Sequence, residues 1–372
     1  MSVLAAVAPA PAWAAARVDG DPPALPKVSS GCVGPSNVVA GGPSWAFRRV
    51  GPADVWPLTK GAGMTVAVLD SGISPGGGGL AGAVETGMDV VGGGRGDVDC
   101  YGRGTALAAL IAARPAENTL FVGVAPESRV LPVKIVDGKG RIPPSAMAKG
   151  VTAATNADVD VILIGVGSPA PDAALRQAVH RAVARDIVVV AAVSDEKPKD
   201  NRPVPPWYPA SDPDVLAVGG IAESGVPTET TTRESGLDLL APGDRAFSVG
   251  PSGTGNYLVG GPAVAAAHVA AAAALVRAYH PELGQAEVRR RLAGTAAGAG
   301  ALDVYAAVAD EATPVRDVAA RAAPRIVVPR GAPIPPQKTI AAAVAAGTVL
   351  AAAAAALTVS TVRRGRRRRW RP

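Results

Sequence analysis

The sequence predicts an α/β fold, with a central parallel sheet flanked by helices on both faces. Three observations carry that expectation. Short β-branched apolar runs alternate with helix-compatible segments from about residue 43 to residue 310. The strand candidates are apolar throughout rather than alternating, as strands covered on both faces are. One long segment, 264–279, is apolar on nearly every side and needs protein all around it.

Taken in order, MTVAVLDS (64–71) is a strand that ends in a loop at Asp70. That places a carboxylate at the carboxyl end of a strand, where folds of this class keep their reactive groups. Residues 105–113 form a small-residue helix, and 129–136 (RVLPVKIV) a second strand. A helix over 146–157 precedes the strand VDVILIGV (159–166). A helix over 172–185 precedes IVVVAAV (187–193), and 215–219 is a further strand. The long helix 264–279 follows, then an amphipathic basic helix over 282–292. No internal repeat is evident.

The chain has 372 residues, 48% of them hydrophobic but only 3% aromatic, so Ala, Val, Gly and Leu must fill a sizeable core. The 44 glycines and 35 prolines imply many turns, and the recurring apolar runs exclude a collagen-like or disordered chain. The net charge is +6, yet seven arginines lie in the last ten residues, RRGRRRRWRP; without them it falls to −1. The basicity belongs to a tail, and nothing in the body points to nucleic acid.

Both ends read as export and anchoring signals. Residues 1–20 look like the latter part of a signal peptide, with Ala-Trp-Ala at 12–14 as the small-x-small site; an Ala/Pro arm is the alternative. Residues 21–45 are an N-terminal extension, and 46–312 the α/β domain. Residues 313–338 form a Pro-rich linker, with five prolines between 324 and 338. Residues 339–362 carry no charge over 24 positions, roughly 36 Å of helix, enough for a hydrocarbon core of about 30 Å. The arginine-dense stretch 363–372 then sets the orientation: domain outside, tail in the cytoplasm. The expected location is the cell membrane, with a single pass. Two cysteines, Cys32 and Cys100, form a disulfide in an exported protein, or else stay as two buried thiols.

Three blocks carry the chemistry: VAVLDSGIS (66–74), DCYGRGTALAALIAA (99–113) and GGPAVAAAHVAAAAALVRA (260–278). In this order and spacing they resemble the signature blocks of subtilisin-like serine proteases. The linking segments GVAPESRVLPVKIVD (123–137), YPASDPDVLAVGGI (208–221) and LDLLAPG (237–243) resemble that family too. The segment WAFRRVGPADVWPLTKGAGMTVAVLDSG (45–72), the cysteine before the second block and the terminal span resemble mycosins, the membrane-anchored subtilases of actinobacterial type VII secretion loci. The resemblance covers residues 30–362 and implies a subtilisin-like three-layer fold, serine endopeptidase activity without a cofactor, and a Cys32–Cys100 bridge.

The residues at the reactive positions depart from that pattern. Asp70 holds the place of the triad carboxylate. Arg103, in Gly-Arg-Gly-Thr, stands where the family has histidine, and Ala263 where it has the nucleophilic serine. Ser194 falls at the place of the asparagine that donates to the oxyanion. A serine hydroxyl attacks only when an imidazole takes its proton, and a guanidinium stays protonated. Losing triad members costs roughly 10⁴- to 10⁶-fold. The expectation is a pseudoprotease with a scaffolding or binding role, partnered by the type VII secretion membrane complex or an active paralogue. Its cleft would still accept an extended peptide. The competing expectation from family membership is an active endopeptidase.

Two arrangements are open to Arg103: a salt bridge to Asp70, which a buried carboxylate would otherwise lack, or a side chain turned to solvent. The three histidines, His180, His268 and His280, are expected to be structural, and no metal-ligand cluster stands out. Asp97 and Asp99, beside Cys100, are expected in a solvated loop, with cation binding as the alternative. GGGG (76–79) lacks the features of a phosphate loop, and TETTTRE (228–234) is a polar loop that would face a partner.

Overall fold

A computed structural model describes residues 17–18, 21–28, 31–116, 119–143, 145–194, 206–231, 236–298 and 300–309. The expected linker, membrane span and arginine tail lie outside the described residues, as does most of 1–20. Two short strands, β1 (Arg17–Val18) and β2 (Val39–Ala40), pair in parallel. The helices α1 (Trp45–Val50) and α2 (Pro52–Val55) lead into β3 (Thr65–Asp70). Then come β4 (Met88–Asp89), α3 (Arg103–Ala112), β5 (Arg129–Lys134), α4 (Ala146–Asn156) and β6 (Val161–Ile164). The second half adds α5 (Ala173–Ala184), β7 (Val188–Ala192), β8 (Leu216–Ile221) and β9 (Leu239–Pro242). A hairpin of β10 (Ala246–Val249) and β11 (Asn256–Val259) precedes α6 (Pro262–Tyr279), α7 (Gln285–Gly294) and α8 (Val304–Ala309).

The main sheet is parallel, in the order β4-β5-β3-β6-β7-β8-β9. Strand periodicity sorts its side chains into two cores. Val66, Val68, Val161, Leu163, Val188 and Val190 face α3 and α6, while Ala67, Leu69, Ile162, Ile164 and Val189 face α4 and α5. Every strand interior is thus buried twice, which is why its sequence reads as an unbroken apolar run. Helix α6 is apolar and long enough to cross a membrane, but it is mostly buried. It packs beside α3 and on strands β6 to β9 of the same sheet face, and its alanines permit that close packing.

Helix α6 begins at Pro262 instead of 264, and the starts of α3 and α7 differ from the sequence expectation for one shared reason. Helix α3 begins at Arg103 instead of 105, because the Asp99 carboxylate accepts the amides of Gly102 and Thr105. Helix α7 begins at Gln285 instead of 282, because Glu287 reaches back to the Gly284 amide and fixes the first turn there. The hairpin β10–β11, the edge pair β4 and the short helices α1, α2 and α8 had no signal strong enough to read locally.

Candidate active-site cleft

Asp70 closes β3 and is fully buried. Its Oδ1 accepts the Ser71 amide at 2.7 Å and Arg103 Nε at 2.9 Å. Its Oδ2 faces Gly165 and has no hydrogen-bond partner among the described residues. The salt bridge therefore forms, and the solvent-facing alternative for Arg103 does not. The pair is asymmetric: the carboxylate is inside, the guanidinium side chain 38% exposed.

Arg103 is brought there by the close seating of α3 on the loop after β3. Ser71 Oγ accepts the Gly104 amide at 3.0 Å. A Cβ at Gly104 would lie 2.1 Å from the Gly72 carbonyl oxygen, so only glycine permits the approach. Asp99 fixes the same junction. It is buried, contrary to the solvated loop expected from sequence, and takes Tyr101 N, Gly102 N, Thr105 N and Thr105 Oγ1 within 3.0 Å. Burial pushes its carboxyl above the ordinary value, and the nearby Asp70 charge adds to this; the hydrogen bonds act in the opposite direction. Asp97 does remain in a surface loop, paired with Arg95 at 2.6 Å.

Ala263 sits in the first turn of α6 and lines one cleft of about 740 Å³ together with Ser71, Arg103, Gly165 and Val193. The structure so brings Asp70, Arg103 and Ala263 to the same place. Ser194 follows β7, is fully buried, and is not among the cleft-lining residues, whereas Ala192 and Val193 are. Neither Arg103 nor Ala263 offers a proton acceptor. A guanidinium stays protonated and a methyl group has no lone pair.

Two parts of the cleft were not visible in the sequence. The first is the N-terminal arm. Pro23 O accepts the Leu258 amide at 2.8 Å and Leu25 N donates to Leu258 O at 2.9 Å, so the arm adds a short strand to β11. Residues 24–28 then form one wall. The bond between Cys32 and Cys100 anchors the arm, with Val33 N donating to Cys100 O at 2.9 Å and Tyr257 OH to Gly34 O at 2.8 Å. The second is Trp207, buried against Gly167 so tightly that a Cβ there would lie 2.1 Å from Nε1. Neither has a local motif; both depend on contacts distant in sequence.

The histidines are elsewhere. His268 is fully buried, with Nδ1 3.0 Å from Pro242 O, and burial lowers its pKa to about 4. His280 Nε2 is 2.9 Å from Val308 O. His180 Nε2 lies 3.6 Å from Asp212 Oδ2 and 3.9 Å from Asp214 Oδ2, a grouping of metal-ligand type that sequence spacing did not show. Arg289 Nη1, 3.8 Å from Asp214 Oδ1, already supplies positive charge there.

The profile of the subtilase family, peptidase S8, matches residues 61–319. Subtilisin DY of Bacillus licheniformis is 35% identical over 65% of this chain and 86% of its own length. Mycosin-1 of Mycobacterium tuberculosis is 30% identical over 82% of this chain and 84% of its own. Among solved structures, the MycP3 protease from the type VII (ESX-3) secretion system superposes with a TM-score of 0.68 at 26% identity, over 79% of this chain and 98% of that one. The parallel sheet, the carboxylate at the end of β3, the junctions of α3 and α6 on one cleft and these similarities together place the chain in the subtilase family, among relatives that include the mycosins.

Proposed function

We propose that this chain is a mycosin-like pseudoprotease that binds or scaffolds rather than cuts. One observation carries the reading: the Arg103 guanidinium lies 2.9 Å from the buried Asp70 and Ala263 lines the same cleft, at the two places where the family resemblance expects the general base and the nucleophile. Proton transfer from a serine needs both a serine and an acceptor, and this pair of residues supplies neither. The intact double core, the disulfide and the preserved cleft support a retained role. The relation to a protease of a type VII secretion system supports placing that role beside such a secretion complex, or beside an active paralogue. The uncharged segment 339–362 and the seven arginines after it support a single membrane pass with the domain outside.

The test is labelling of the intact chain with a fluorophosphonate probe, together with a peptide-cleavage assay against a mixed substrate library. The expected result is no labelling and no cleavage. A labelled serine would establish the endopeptidase reading instead. Alkaline carbonate extraction of membranes tests the anchor: the chain should remain in the pellet, and its release would remove the membrane assignment.

A further inference from the structure

The charge of the cleft points to its ligand. Lys27, Lys139 and Arg103 all line it, and no aspartate or glutamate does among the described residues. Among the described residues, the carboxylates Asp70, Asp99, Asp137 and Asp21 near the cleft are committed elsewhere, Asp99 to the start of α3. Asp70 is fully buried behind Arg103 and bound to it. Asp137, two residues before Lys139, takes the Arg141 guanidinium through two hydrogen bonds of 3.1 and 3.0 Å. Asp21, near the start of the arm, pairs with Arg245. Lys27 and Lys139 are exposed and have no ion-pair partner among the described residues. The body of the chain, by contrast, is nearly neutral once the tail is set aside. The lysines come from different segments, one on the arm and one on the turn after β5, and share the cleft with apolar residues that include Trp207, Val193 and Leu258.

We propose that the cleft is a receptor for an extended acidic peptide, whose carboxylates meet Lys27 and Lys139 while its apolar side chains rest against the apolar lining. A cleft lined by apolar side chains can seat an extended peptide, and charges of one sign at it select partners of the other and speed their encounter. The arm gives this selectivity a built character: Lys27 is positioned by the strand pairing of residues 23–25 to Leu258 and by the Cys32–Cys100 anchor. The inference rests on the cleft being a binding site rather than a cutting one, so the experiment reads the two separately.

Fluorescein-labelled peptides of about ten residues, alternating alanine with glutamate or alanine with lysine, are titrated against the intact chain by fluorescence anisotropy at about 50 and about 500 mM salt. The acidic peptide should bind, and more weakly at the higher salt; the basic peptide should not. The variant K27E/K139E should weaken acidic binding by about tenfold and gain binding of the basic peptide. Unchanged acidic binding in that variant overturns the proposal, because it would assign the interaction to the arginine tail. Equal binding of the two peptides also overturns it. Both substitutions are at exposed positions, and K27Q/K139Q provides the milder pair should the reversal disturb folding; loss of acidic binding is expected there too. Mass spectrometry of the peptide after titration reads cleavage: a cut acidic peptide would sink the pseudoprotease reading while leaving the charge selectivity in place.

Discussion

Arg103 Nε lies 2.9 Å from Asp70 Oδ1, with one partner fully buried and the other partly in water. That asymmetry defines what the pair does. The carboxylate cannot be solvated where it is, and Gly165 on its far side offers no donor side chain. The Ser71 amide and the guanidinium are its described hydrogen-bond partners. In the chemistry of the family the same carboxylate would orient an imidazole. Here it holds a permanent cation, and under the proposed function the contact is a structural one.

Removing the cation should therefore cost more than an ordinary surface pair. Arg103→Ala is expected to destabilise the fold by about 2 kcal/mol, because it leaves a buried carboxylate without a counter-charge. Asp70→Asn in the same background should recover part of the loss. Chemical denaturation of the two single variants and the double variant measures the coupling; additivity within error would show that the contact contributes nothing.

Restoring chemistry requires two changes at once. R103H/A263S is expected to regain fluorophosphonate labelling, while R103H and A263S alone remain unlabelled, because nucleophile and base act as a unit. The recovered rate should stay at least about 10²-fold below that of an active relative, since the oxyanion position is also altered. Labelling of A263S alone would reveal another base in the cleft.

His268 should make the fold acid-sensitive. Burial lowers its pKa from 6.5 to about 4, so the folded chain keeps it neutral while the unfolded chain takes up a proton. Stability is then complete above about pH 6.5 and is lost as the pH falls toward about 4, by an amount on the order of 3 kcal/mol. His268→Gln, which can still donate to Pro242 O, should flatten that slope in thermal melts collected across the window. An unchanged slope would place the acid sensitivity on other groups.

The disulfide closes a loop of sequence separation 68, for which chain entropy predicts stabilisation of up to about 4 kcal/mol. C32S/C100S should lower the unfolding midpoint accordingly. It should also expose the arm to limited proteolysis before the domain unfolds, because the arm then keeps only non-covalent contacts: a few backbone bonds to β11 and its neighbours, the Tyr257–Gly34 hydrogen bond and the Asp21–Arg245 pair. Simultaneous loss of arm and domain would show that the arm is not a separable layer.

The sequence by itself determined the fold class and gave an expectation for three site positions. Unbroken apolar strands, a small-residue helix after Gly-Arg-Gly-Thr and an all-apolar α6 follow from local periodicity and composition. Asp70, Arg103 and Ala263 could be placed because each sits inside a block whose neighbours fix its register. Tertiary structure alone decided what surrounds them. Asp99 looked like a loop acid, yet it caps α3 and is buried, and its burial comes from the seating of α3 against the loop after β3. The arm and Trp207 became cleft walls through strand addition to Leu258 and packing on Gly167, contacts between segments far apart in the chain. The cationic lining arose the same way, since Lys27 and Lys139 come to line one cleft only when the arm is folded back. Local sequence specifies which elements form; their burial against one another decides which charges and walls a cleft presents.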